Sequence, residues 1–270
     1  MYKASVIVTT YNWPQALQRV LQALIEQTEQ HFEIIIADDG STTDTAELIR
    51  TMQNKSPIPM VHIWQPDEGF QAAKIRNKAV AATRSDYMIF LDGDCIPPVN
   101  FVANHLQLQE PSFFVVGNRI LLSPAFTKQT IEQELPLQHW SFFDWLSAQL
   151  HKKCNRILPF ISLPGKNWRK NLTKKKWQGA KGCNISMWKQ DLYNINGWEE
   201  TFVGWGYEDS DLVIRLLRNH ILRKDGRCKI PVIHLWHAEN DRSNEKANLA
   251  ALQAMQQSPH IKARQGLDKH

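Results

Sequence analysis

Apolar positions in the first hundred residues follow two rhythms. Residues 5–9 (SVIVT), 33–37 (EIIIA), 60–64 (MVHIW) and 87–91 (YMIFL) are short apolar runs that each predict a strand, the first two buried in a sheet. Between them the spacing lengthens. Leu17, Val20, Leu21 and Leu24 recur at i, i+3, i+4 and i+7 behind Pro14, a residue suited to a first helical turn. Ser41 and Thr42 can cap a helix running through Met52, and residues 74–83 lie in another. Short strands alternating with helices predict an α/β fold with a mostly parallel sheet. In such sheets ligands bind beyond the carboxyl ends of the strands. The polar residues at those ends are Thr9 to Asn12, Asp38 to Ser41, and Asp92 to Asp94.

The second half is patterned differently. Residues 135–150 carry Trp140, Phe142, Phe143 and Trp145. Residues 151–177 hold Lys152, Lys153, Arg156, Lys166, Arg169, Lys170, Lys174, Lys175 and Lys176 without one acidic residue, and Pro159, Pro164 and Gly165 make much of the stretch a loop. This basic, aromatic-flanked region reads either as a membrane-facing surface or as a solvated loop. Beyond it come a strand at 182–187, a helix ending near Asn219 and a strand near 230–235. The polar tail past Ser258 is expected to be disordered.

Composition narrows the picture modestly. At 270 residues, 43% hydrophobic and 22% charged, the chain suits one large domain or two intimate lobes. A net charge of +5 favours anionic partners without choosing among them. Cys95, Cys154, Cys183 and Cys228 form no C-x-x-C pair, and the opening MYKASVIVTT lacks a leader pattern. No run reaches the ~18–20 apolar residues of a membrane span. These features lead us to expect a cytoplasmic protein, at most peripheral on the membrane.

Four groups carry candidate chemistry. Asp92-Gly93-Asp94 places two carboxylates at a strand end, where they can hold a hard cation such as Mg²⁺ or Mn²⁺, or simply form a solvated turn. Asp38-Asp39-Gly40-Ser41 can receive nucleotide ribose or base donors, or serve as a turn and cap. Gly204-Trp205-Gly206-Tyr207-Glu208-Asp209 sets an indole face, suited to sugar C–H groups, beside carboxylates able to take a proton. Acids in a first helical turn are also expected from the helix dipole alone. His234 and His237, at the end of a late strand, can complete a metal site. These weak signals become a site only if Asp39, Asp94, Asp209 and His237 converge.

In that order, SVIVTTYNWP, IIIADDGSTTD, FLDGDCIPP and FVGWGYEDSDL resemble the inverting family 2 glycosyltransferases of GT-A fold, over roughly residues 3–240. The segment NINGWEETFVGWGYEDSDLVIRLLRNH resembles the domain shared by β-1,4-galactosyltransferases and chondroitin-polymerase modules. The resemblance implies a single GT-A domain over 1–258, with a nucleotide-sugar half (1–100), an acceptor half (101–258) and the basic insertion 151–177. It implies that Thr9 and Tyr11 line the base, that Asp39 accepts from the base, and that Arg76 lies near the nucleotide. Asp92 would meet ribose or metal, Asp94 and His237 the metal, and Trp205 a sugar. Asp209, beside Glu208, would be the catalytic base. The family often has Gly-Gly before Glu-Asp, and Tyr207 departs from that pattern. The implied reaction moves a sugar from a nucleotide-diphosphate sugar, with uridine the expected base, to a glycan hydroxyl in surface-polysaccharide synthesis. Alternatives are a sugar nucleotidyltransferase, which should open with a Gly-rich phosphate loop, and a non-catalytic carbohydrate- or nucleotide-binding protein. Nucleic acid is not an expected partner, because basic charge leaves the acidic motifs unexplained.

Overall fold

A computed structural model describes residues 2–161, 168–239 and 241–270. Pro164, Gly165 and Lys166 of the basic stretch lie outside the described residues. The first half runs β1 (Ala4–Thr10), α1 (Pro14–Ile25), β2 (Phe32–Asp38), α2 (Thr43–Lys55), β3 (Met60–Trp64), α3 (Ala72–Ala81) and β4 (Tyr87–Asp92). Then follow β5 (Cys95–Ile96), α4 (Phe101–Leu108), β6 (Phe113–Val116), β7 (Asn118–Leu121), α5 (Pro124–Glu132) and α6 (Phe142–Leu150). The last part holds α7 (Trp168–Asn171), β8 (Asn184–Trp188), α8 (Lys189–Asn194), α9 (Glu208–Arg218), β9 (Leu222–Asp225), β10 (Pro231–His234) and α10 (Glu245–Gln257).

Seven strands form the main sheet in the order β3-β2-β1-β4-β8-β6-β9, and β5-β10-β7 form a smaller one. The main sheet is mostly parallel; β8 runs antiparallel to both β4 and β6. Successive strand side chains face opposite layers, as the two-residue period requires. Val6, Val8, Ile34, Ile36, Ile89 and Leu91 enter a core built with α1, α2, α4, α5 and α6. Ile7, Ile35, Met88 and Phe90 enter a second core with α3, α8 and α9. Burial on both faces explains why these strands read as continuous apolar runs. Each such side chain contributes about 1.5–3 kcal/mol when fully buried.

Register places the chemistry. Thr10 pairs with Asp38 across β1 and β2, and Thr9 pairs with Asp92 across β1 and β4. The polar strand ends therefore stand side by side along one edge.

Two sequence expectations need correction. Thr42 occupies the N-cap of α2 without a side-chain hydrogen bond, and the Ser41 hydroxyl instead accepts from the Asn12 amide at 2.9 Å. The tail is ordered. The Ala263 amide donates to the Ile195 carbonyl at 2.9 Å and the Leu267 amide to the Asn196 carbonyl at 3.1 Å, and both side chains are buried.

Candidate active site

The Gly93 amide donates to the Thr9 carbonyl at 2.7 Å, which turns the chain sharply after β4 and sends Asp94 toward β10. The Leu235 amide in turn donates to the Asp94 carbonyl at 2.9 Å. Asp94 Oδ2 then lies 3.3 Å from His237 Nε2 and 3.6 Å from His234 Nε2. One ligand atom from each of the three residues falls within 4.8 Å of the others, a spacing able to hold a metal ion. Burial pushes the His234 imidazole below its usual range, which favours the neutral form a ligand needs. The His237 Nδ1 sits 2.6 Å from the Ala238 carbonyl, which leaves Nε2 to face Asp94. The sequence singled out His237; the structure brings both imidazoles to Asp94.

Arg76, on α3, is the hub of the neighbouring cluster. Its guanidinium is almost fully buried over the Trp198 ring, 4.6 Å from the centroid. Nε donates to Thr9 Oγ1 at 3.2 Å and Nη2 to Asp92 Oδ1 at 3.2 Å. Nη1 lies 3.5 Å from Glu208 Oε1 and 4.0 Å from Asp209 Oδ1. Segments from β1, α3, β4 and α9 thus meet around one cation. Three carboxylates share a single guanidinium, so they compete for it. Burial pushes the Asp92 carboxyl up to about 6 and the Glu208 carboxyl up to about 7, although Arg76 pulls both down. For Arg76 the balance runs the other way: Asp92, Asp209 and Glu208 outweigh burial and hold the guanidinium firmly charged.

Asp209 differs from its neighbours. Its Oδ1 is buried with no hydrogen-bond partner among the described residues, while the side chain as a whole keeps 20% of its surface open. It faces Gly182, where an added Cβ would stand 2.5 Å from Asp209 Oδ1 and 3.2 Å from Arg76 Nη2. Gly182 is a site residue the sequence reading missed, since it registered only as the first residue of a strand candidate.

The β2 end adjoins this cluster through β1, where Thr10 pairs with Asp38. Asp39 is buried; its Oδ1 accepts from Gln65 Nε2 and its Oδ2 from the Gln71 amide, both at 2.7 Å. Each oxygen keeps a second lone pair. Burial nonetheless raises this carboxyl. Gly40, at φ +94°, lies so close to Asp67 that a Cβ would come within 2.5 Å of the Asp67 Cα. Asp67, also missed from sequence, takes a 2.8 Å hydrogen bond from the exposed Tyr11 hydroxyl.

Trp205 is half-buried beside α9, with the Arg242 guanidinium 4.5 Å from its ring centroid. Tyr207, at the N-cap of α9, has φ +73°, in the left-handed region where glycine is favoured. The departure from Gly-Gly therefore falls at a position whose backbone suits glycine.

A model of the family described as "Glycosyl transferase family 2" matches residues 5–161, and one described as "N-terminal domain of galactosyltransferase" matches residues 166–232. Chondroitin synthase of Escherichia coli is 27% identical over 232 residues, which cover 79% of this chain and 32% of that protein. Hyaluronan synthase of Pasteurella multocida is 28% identical over 234 residues, covering 79% of this chain and 22% of that protein. The chain thus spans about a third or less of either synthase. An uncharacterised glycosyltransferase of Bacillus subtilis (strain 168) is 28% identical over 282 residues, covering 92% of this chain and 69% of that protein. Among solved structures, the TarS protein of S. aureus in complex with UDP shares the fold at TM-score 0.60 and 14% identity, over 99% of this chain and 68% of that one. The mannosyltransferase PcManGT of Pyrobaculum calidifontis, in complex with GDP-Man and Mn²⁺, aligns at TM-score 0.57 and 15% identity, over 86% of this chain and 56% of that one.

Proposed function

The chain belongs to glycosyl transferase family 2, has the GT-A fold and is a glycosyltransferase enzyme; from that premise we propose that it transfers a sugar, with inversion, from a uridine-diphosphate sugar to a hydroxyl of a free or lipid-linked glycan. The observation that carries the reading is the meeting of Thr9, Arg76, Asp92, Glu208 and Asp209 beside the Asp94, His234 and His237 group.

In this reading the base lies between Tyr11 and Asp39, and the second lone pairs of the Asp39 carboxylate accept a base N–H. The UDP bound in the TarS complex supports uridine. Asp94, His234 and His237 would hold a divalent ion. A mixed set of two imidazoles and one carboxylate fits Mn²⁺ better than Mg²⁺, which prefers oxygen ligands. Such an ion supplies Lewis-acid stabilisation of the charge gathering on the departing diphosphate.

The remaining work falls to the chain's own side chains. Arg76 holds Asp92 and Glu208 in place. Asp209, with its unpartnered oxygen and open edge, takes the proton from the acceptor hydroxyl as that oxygen attacks the anomeric carbon. Attack comes opposite the leaving diphosphate, so one displacement inverts the centre. Trp205 offers an aromatic face to a sugar ring. Positioning both sugars can supply up to about 7–11 kcal/mol of barrier lowering. The four free thiols support action in a reducing compartment, the cytoplasm, on surface-polysaccharide precursors.

Thermal melting against a panel of nucleoside diphosphates, with and without Mn²⁺, tests the reading. UDP with Mn²⁺ should raise the melting temperature and the other nucleotides should not. Absence of any metal-dependent nucleotide shift would refute the donor site.

A further inference from the structure

Helix α6 is apolar on two faces. Trp145 and Ala148 turn into the core, while Phe142 and Phe143 are 39% and 76% exposed, and Leu146 and Leu150 are 37% and 75% exposed. Phe143, Leu146 and Leu150 recur at i, i+3 and i+7, so they share one solvent-facing stripe. Trp145 stacks on Phe160 with centroids 4.5 Å apart, which fixes the following turn against the helix. That turn adds Leu158 and Ile161, both exposed, to the same region of chain. An apolar stripe of this kind normally marks a contact surface, and among the described residues nothing covers it.

The charges beside the stripe have one sign. Across residues 137–161 the single carboxylate is Asp144, and it is spent on the capping box with Ser141. Directly after Leu150 stand Lys152, Lys153 and Arg156, with Lys152 and Arg156 exposed. Exposed aromatic and leucine side chains rimmed by cations match an anionic lipid surface: the apolar groups enter the acyl boundary and the cations meet phosphate headgroups. A second copy packed stripe to stripe would meet the same cations with like charge. Among the described residues no helix is long and apolar enough to cross a membrane, so contact would be in the interface plane.

We propose that α6 and the turn after it form a peripheral docking surface for an anionic lipid bilayer, with Phe143 and Leu150 inserted and Lys152 and Arg156 at the headgroups. This surface is independent of the transfer chemistry but physically joined to it. Leu122 pairs with Cys154, four residues past α6, and the Leu122 amide donates to the His234 carbonyl at 3.0 Å. Docking would therefore hold the strand carrying His234 against the bilayer side of the molecule, where a lipid-linked acceptor is presented.

Vesicle sedimentation of the full chain tests this. Wild type should bind phosphatidylcholine vesicles containing phosphatidylglycerol, bind pure phosphatidylcholine far less, and be released by about 0.5 M salt, where screening shortens to a few ångströms. The Phe143→Ser/Leu150→Ser variant should partition at least about tenfold less, because both insertions are lost. Its melting temperature and donor hydrolysis should be unchanged. Lys152→Glu/Arg156→Glu should lose the preference for anionic vesicles. The proposal is overturned if wild type ignores anionic vesicles at low salt, or if the serine variant binds them equally. It is also overturned if light scattering shows a dimer that the serine substitutions dissolve.

Discussion

Arg76 and Asp209 divide the labour of the acidic cluster through unequal partnership. The Arg76 guanidinium hydrogen-bonds Asp92 and pairs with Glu208 at 3.5 Å, but reaches Asp209 only at 4.0 Å, which leaves Asp209 the freest carboxylate. Replacing Asp209 with Asn keeps the shape and removes the base. Turnover should fall by about 10²–10⁴-fold, while calorimetry should find UDP affinity nearly unchanged. Wild-type turnover in that variant would transfer the role elsewhere. Glu208 predicts a pH effect. Its carboxyl rises from 4.5 to about 7 in the fold, so the folded state binds that proton more tightly. The stabilisation is complete below the unfolded value and is lost as pH rises through about 7. Without metal or nucleotide, Glu208→Gln should melt like wild type near pH 4.5 and at least about 2 °C above it near pH 8, given the few degrees per kcal/mol of chains this size. Melting curves that track each other across the whole range would show that Glu208 carries no such charge penalty.

At the scale of elements, strands were legible and their joints were not. Residues 5–9, 33–37 and 87–91 read as strands because both faces of β1, β2 and β4 are covered, so no polar alternation interrupts the apolar signal. Helix α9 was legible from its acidic first turn and apolar stripe, with Leu212 and Leu216 fully buried. The cap of α2 was misread because Asn12, 29 residues earlier in the chain, claims the Ser41 hydroxyl. Local propensity cannot see such a partner. Gly182 escaped for the same reason: its need for a bare Cα comes from Asp209 on α9 and Arg76 on α3. Gly182→Ala would drive a methyl into Asp209 Oδ1, the movable end of a side chain. Activity should drop about a hundredfold, the loss an ångström-scale misplacement can cause, with the melting temperature within a few degrees of wild type. Full activity would mean that Asp209 need not hold its observed position.

Across the whole molecule, the sheet is the device that gathers the site. Register sets the ends of β1, β2 and β4 side by side, and the β4–β5 turn delivers Asp94 to β10. The sequence located each motif and favoured His237 over His234, although three residues past a strand end fix no direction; both imidazoles reach Asp94. Nor could it foresee the ordered tail, whose hold rests on Ala263 and Leu267 docking against Ile195 and Asn196. The metal-ligand group and the Arg76 cluster adjoin through Asp92 and Asp94, which only Gly93 separates. Donor binding at that junction should therefore depend on the metal. Calorimetric titration of UDP into wild type and Asp94→Ala, each with and without saturating Mn²⁺, tests it most directly. Mn²⁺ should tighten UDP binding to wild type by about tenfold or more, a coupling of at least about 1.4 kcal/mol, and leave binding to Asp94→Ala unaffected. Equal tightening in both proteins would contradict it.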